Sequence, residues 1–120
     1  MGSFVYVLVA LALTVYGQLI LKSRAMLHAE VGKTGYGAFL LVMFSDPWVL
    51  SAFVAAVIAA AAWMLAIRRE DLSLLYPFMA LTFVFVPTLA ALLLGEKITA
   101  LQIFGMALIV GGVSLTAMAK

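Results

Sequence analysis

Three polar side chains recur at steps of four along the first apolar stretch: Thr14, Gln18 and Lys22. On a helix that spacing puts them on one stripe, running from mid-membrane to the interface. The glutamine amide donates and accepts, and the lysine ammonium only donates. Together they can grip a head group bearing hydroxyls and phosphate. Each also has a purely structural use. Thr14 can bond back to its own helix, Gln18 can bond a neighbouring helix, and Lys22 can snorkel to the surface. Tyr76 could present its hydroxyl to a substrate or anchor the interface, with Thr82 and Thr88 as weaker candidates for the same lining.

Other chemistry is poorly supplied. The chain has no cysteine, which excludes disulfides and thiolate metal sites. Its one histidine, His28, has no partner cluster and reads as a bystander. No nucleophile–base pair, carboxylate pair or metal cluster can be assembled, so an enzyme is not expected, and neither metal nor cofactor is implied. The net charge of +2 is too small and scattered for nucleic acid.

The elements that hold these residues must lie in a membrane. Of 120 residues, 68% are apolar and only 10% charged, against about 25% charged in a soluble domain. A bilayer core of about 30 Å needs roughly 20 helical residues. Four stretches qualify, at 3–21, 47–67, 72–94 and 98–118, each free of interior charge. A charge at the centre would cost about 2.5–3.5 kcal/mol. The fold class expected is all-α, an integral membrane bundle of four transmembrane helices in one domain, working as a dimer. The first stretch has no basic run before it and no small-x-small site after it, so it reads as an uncleaved helix.

Boundary signals agree. Asp46-Pro47 is an N-cap followed by proline at the first helical position. Asp71 or Ser73 can cap the third helix and Thr99 the fourth, and Gly95 suits the end of the third. Trp48 and Trp63 stand near the two ends of the second span, as in an aromatic belt. Pro77 is expected in a first turn, where it costs little. Pro87 should kink the third helix by disturbing the carbonyl of Phe83, and kinked helices suit moving gates. Phe78, Phe83 and Phe85 are expected to face lipid or packing. The segment 22–46 is expected as a long interfacial loop, with its apolar run 38–44 either lying at the interface or re-entering between helices.

Orientation is weakly encoded. One side carries Lys22, Arg24, Lys33 and Lys97, and the other Arg68, Arg69 and Lys120. The positive-inside rule hardly chooses between them, which fits either insertion both ways or a partner that sets the orientation. Small residues mark packing faces. Ala52, Ala56 and Ala60 are spaced by four, while Gly105 and Gly112 share a face two turns apart and Ala107 and Gly111 form a small-x-x-x-small pair. These faces can serve contacts within the chain or between copies.

The order and spacing of Gly17, Gln18 and Lys22, then Tyr76-Pro77, then Gly95-Glu96-Lys97, then the glycines of 105–113, resemble the drug/metabolite transporter superfamily, including its EamA-like proteins. The resemblance covers all four helices. Two branches compete. The small multidrug resistance transporters are antiparallel dimers, and Gly105 and Gly112 look like their dimer motif. Tyr76 falls on their binding tyrosine. Thr14, however, stands where they have an essential membrane glutamate, Met79 stands where they have a binding tryptophan, and their first loop is shorter. These departures argue against proton-coupled export of cations.

The other branch comprises the small flippase subunits that move undecaprenyl-phosphate aminoarabinose across the bacterial inner membrane. This chain is more similar to them in Gly17-Gln18 with Lys22, the long first loop and Tyr76-Pro77. The resemblance implies a lipid-linked sugar as substrate, Thr14, Gln18, Lys22, Tyr76 and Met79 as binding positions, and a pair of small subunits, homodimeric or heterodimeric. Arg24, Arg68 or Arg69 could attract the phosphate. The competing functions are an exporter of small cations or metabolites and a non-transporting accessory subunit.

Overall fold

The computed structural model describes residues 2–119; Lys120, counted in the charge balance above, lies outside them. All regular structure among the described residues is helical: α1 (Gly2–Leu27), α2 (Ala29–Gly32), α3 (Tyr36–Ser45), α4 (Pro47–Ile67), α5 (Leu72–Met79), α6 (Thr82–Leu94) and α7 (Ala100–Ala119). Four spans are long and apolar enough to cross a membrane: α1, α4, α5 with α6 (Leu72–Leu94), and α7.

α1 packs most extensively on α4. Side chains without bulk permit this. α4 buries Ala52, Ala55, Ala59, Ala62 and Ala66, a stripe at steps of three and four. α1 answers with Val7, Ala10, Leu11, Val15 and Gly17. A Cβ on Gly17 would sit 3.6 Å from the carbonyl oxygen of Ala52, so the two backbones run close. The packing face therefore differs from the four-spaced alanine stripe expected from sequence. Ala52 belongs to it, whereas Ala56 and Ala60 are exposed. At one end the core closes around Val7, Ala66 and Leu75, with Phe4 and Phe78 edge to face at 5.5 Å.

The segment 22–46 is not a loop for most of its length. α1 runs on to Leu27, and the apolar run 38–44 lies within α3, ten residues long. At about 1.5 Å per residue that is too short to span. Phe44 of α3 stacks on Phe53 of α4 at 5.4 Å, so α3 folds back beside the second span. Asp46 caps α4, its Oδ1 accepting from the Trp48 N–H at 2.9 Å, with Pro47 in the first turn.

The third span is interrupted at Ala80 and Leu81, where N–H groups bond carbonyls three residues back, as in a tight 3₁₀ turn. The interruption falls between the two prolines. Pro77 is also inside α5, beyond its first turn, so it removes a bond the helix would otherwise make. α6 ends at Gly95 in the left-handed conformation, φ 74°. Thr99 and Gln102 then form a reciprocal capping box at the start of α7: the Thr99 N–H donates to Gln102 Oε1 at 2.8 Å, and the Gln102 N–H donates to Thr99 Oγ1 at 3.2 Å.

Burial is uneven. In their most apolar windows, α1 and α4 are each 28% buried, whereas the third span and α7 are each 6% buried. Gly105, Gly111 and Gly112 have open space where a Cβ would stand. The glycine face of α7 is therefore unused within this chain.

Candidate functional site

A groove of about 500 Å³ opens between α1, α4 and the α5–α6 span. α1 supplies Thr14, Gly17, Gln18 and Leu21. α4 supplies the exposed Ala56 and Ala60 together with Trp63. Tyr76 and Met79 come from α5, and Thr82 and Phe83 from the start of α6. The volume falls in the roughly 300–1,000 Å³ range of small-molecule sites. The alanines of α4 explain the space: with no side chain beyond Cβ, that wall stands back from the other two. The 3₁₀ turn at Ala80–Leu81 crosses the opposite wall and places Met79 and Thr82 beside one another.

The groove is apolar with few polar points. The Thr14 hydroxyl donates to the Ala10 carbonyl at 2.7 Å, which leaves its oxygen able to accept. Thr82 bonds the Met79 carbonyl at 2.9 Å in the same way. Gln18 is exposed on the groove, and its amide has no hydrogen-bond partner among the described residues. The neighbouring-helix bond considered for Gln18 is thus not made. Tyr76 is 64% exposed and meets Trp63 edge to face at 6.2 Å. No carboxylate, histidine, lysine or arginine lines the groove among the described residues.

Of the binding positions read from sequence, Thr14, Gln18, Tyr76 and Met79 meet in this groove. Lys22 lies just past its α1 end, beyond Leu21. Its ammonium pairs with Glu96 Oε2 at 3.6 Å, in the connection between α6 and α7. Trp63, expected in an interfacial belt, and Phe83, expected toward lipid or packing, also line the groove. Thr88 does not; it bonds the Val84 carbonyl.

The three arginines do not converge. Arg68 and Arg69 are exposed at the far end of α4, where Arg68 Nε donates to the Leu65 carbonyl at 3.3 Å. Arg24 Nε donates to Asp46 Oδ2 at 2.6 Å, and His28 Nε2 lies 2.8 Å from the same oxygen. His28 is therefore no bystander. The Asp46 side chain is almost fully buried. Removal from water raises its pKa, but the bonds to His28, Arg24 and the Trp48 N–H, with the charge of Arg24, outweigh this and lower it to about 2. This cluster ties the end of α1 to the start of α4. The one readable hint of it was a carboxylate set between an apolar run and a proline, a position that favours capping over solvation.

No family model and no solved structure matches the chain. Among curated proteins it is similar to "Probable 4-amino-4-deoxy-L-arabinose-phosphoundecaprenol flippase subunit ArnE" from several Pseudomonas species. Identity to the protein of that name from Pseudomonas fluorescens is 29% over 113 residues, covering 94% of this chain and 95% of the relative. For Pseudomonas paraeruginosa it is 32% over 108 residues, covering 90% of both chains. For Pseudomonas aeruginosa it is 31%, again with 90% of both covered.

Proposed function

The chain belongs to the family of the 4-amino-4-deoxy-L-arabinose-phosphoundecaprenol flippase subunits, and we propose that its groove carries the head group of a polyprenyl-phosphate-linked amino sugar. It is a flippase subunit and a multi-pass protein of the bacterial inner membrane. The finer reading rests above all on Gln18. An unpaired amide facing a largely apolar groove in a membrane is costly unless something fills its bonds. A sugar hydroxyl or phosphate oxygen does so.

A flippase moves a polar head group while the hydrocarbon stays in lipid. It needs donors and acceptors along a groove that opens sideways, and no aqueous pore. The two ends of the groove differ in a way that supports one orientation. Lys22, beyond Leu21, is the cation for the phosphate at the membrane surface. Trp63 and Tyr76 at the other end offer aromatic faces to the sugar's ammonium. Gln18 and Thr14 lie between, at sugar depth. Met79 forms part of the wall, and Arg24, engaged by Asp46, holds the fold rather than the phosphate. Arg68 and Arg69 stand at the opposite surface, where an arriving or departing phosphate would meet them. The interruption between Pro77 and Pro87 gives the third span a place to bend as the head group passes.

The open glycine face around Gly105 and Gly112 supports pairing with a second copy or a similar small subunit. A proton-coupled cation exporter is less well supported, since no carboxylate, histidine, lysine or arginine lines the groove among the described residues.

The test is saturable binding of undecaprenyl phosphate to the purified protein, read by thermal shift beside a panel of lipophilic cations. Stabilisation by the polyprenyl phosphate that is lost in Gln18→Ala is the expected result. Stabilisation by cations alone would overturn the reading.

A further inference from the structure

Three described carboxylates meet cations on the side of the molecule where α1 ends, and one of these contacts differs from the others. Lys33 pairs with Glu30, three residues away, and Asp46 takes Arg24 and His28 where the end of α1 meets the start of α4. Both contacts stay within the first 46 residues. Glu96 instead reaches Lys22 from the connection between α6 and α7, so the pair joins two separate walls of the groove.

Its position is set from both sides. Lys22 follows the groove residue Leu21 and lies one turn beyond Gln18. Opposite, α6, whose first residues line the groove, ends at the left-handed Gly95, and Glu96 comes next. The connection holding Glu96 has no regular structure from residue 95 to 99, and the Thr99–Gln102 capping box closes it off. Both partners are well exposed, at 54% and 41%. Exposed pairs contribute little to stability, and this one is easily exchanged. It offers Lys22 an oxygen anion of the kind a phosphate would bring.

We propose that Glu96 is a resident competitor for the phosphate site. Its carboxylate occupies the Lys22 ammonium in the empty groove, and the phosphate of an anionic polyprenyl lipid displaces it. The exchange replaces one anion by another on the same ammonium and returns the carboxylate to water. Once displaced, Glu96 no longer holds the α6–α7 connection against α1, and that end of the groove can widen. The inference rests on the flippase reading above and adds the device that couples lipid arrival to opening.

The experiment uses the full chain in nanodiscs with undecaprenyl phosphate as probe. Glu96→Gln keeps the size of the side chain and removes the competing charge, and is expected to tighten binding by roughly three-fold. Lys22→Ala weakens binding, and adding Glu96→Gln to it changes nothing more, because the competition needs the ammonium. Cysteines introduced by Ser23→Cys and Lys97→Cys into this cysteine-free chain carry spin labels, whose separation is expected to grow when lipid binds.

Binding by folded Glu96→Gln that equals or falls below wild type would overturn the competitor. Binding without any change in label separation would overturn the opening. Inorganic phosphate in the same series separates a lipid-linked anion from a free one, and an equal response to it would overturn the lipid assignment. Wild-type protein that binds no undecaprenyl phosphate would remove the flippase reading itself, and this inference with it.

Discussion

Gln18 carries an amide with four hydrogen-bonding sites into a groove that satisfies none of them among the described residues. Bonds from such a group to a charged or hydroxylated ligand are strong where water is scarce. Gln18→Ala is therefore expected to weaken undecaprenyl phosphate binding roughly ten-fold, with little effect on melting temperature. A binding titration beside a melting curve separates the two. Asp46 works in the opposite sense, through structure. Its carboxyl is lowered from 3.8 to about 2 in the fold. A group depressed in this way stabilises the fold above its unfolded pKa and loses that contribution as pH falls through the folded one. The tie between α1 and α4 should thus hold above about pH 4 and fail toward pH 2. Hydrogen exchange in α3 and the first turn of α4 across that interval checks it, and Asp46→Asn should abolish the transition.

Among the elements, α4 shows two alanine faces with different duties. Both Ala59 and Ala60 border the groove, but Ala59 is buried against α1 at 5% exposure whereas Ala60, its neighbour, stands exposed on the groove. Ala59→Leu overfills the contact and should cost about 1–3 kcal/mol, read as a lower melting temperature. Ala60→Leu should leave stability unchanged and fill the groove, so that lipid binding falls instead. Equal effects of the two substitutions would contradict this division of the helix. Gly17 belongs to the same contact. Gly17→Ala meets the Ala52 carbonyl only at ordinary distance and should be tolerated. Gly17→Leu should push α1 away and destabilise the bundle. α3 owes its form to different forces. Its apolar run cannot span, yet it pairs its backbone groups internally as a helix and stacks Phe44 on Phe53.

For the molecule as a whole, the unequal burial of its spans decides what assembles. α1 and α4 are paired, while the third span and α7 leave most of their surface to lipid or to another subunit. Gly105→Leu and Gly112→Leu meet open space within the chain, so folding should persist while association is lost. Cross-linking in membranes, with the mass of the detergent-solubilised particle, distinguishes that outcome from unfolding. Retained association in both variants would place the subunit contact elsewhere.

Much of this was written in the chain itself. The four spans follow from apolar length and from charges confined to their ends, because hydrocarbon penalises an interior charge whatever the neighbours are. The Asp46-Pro47 cap, the left-handed Gly95 and the Thr99 cap of α7 are local backbone geometry, and local residues determine them. The polar stripe of Thr14 and Gln18 was equally legible, since helical spacing alone aligns it. Tertiary structure decided what each stripe faces. Which alanines of α4 are buried and which stand exposed on the groove depends on where α1 lies, and a helix of alanines has no periodicity to announce it. Trp63 joins the groove because α5 brings Tyr76 to it. His28 and Arg24 gain their purpose from Asp46, and Lys22 from Glu96, a residue distant in the chain. Such pairings depend on how helices meet across space, and a hydropathy pattern read along one strand of sequence holds no term for that.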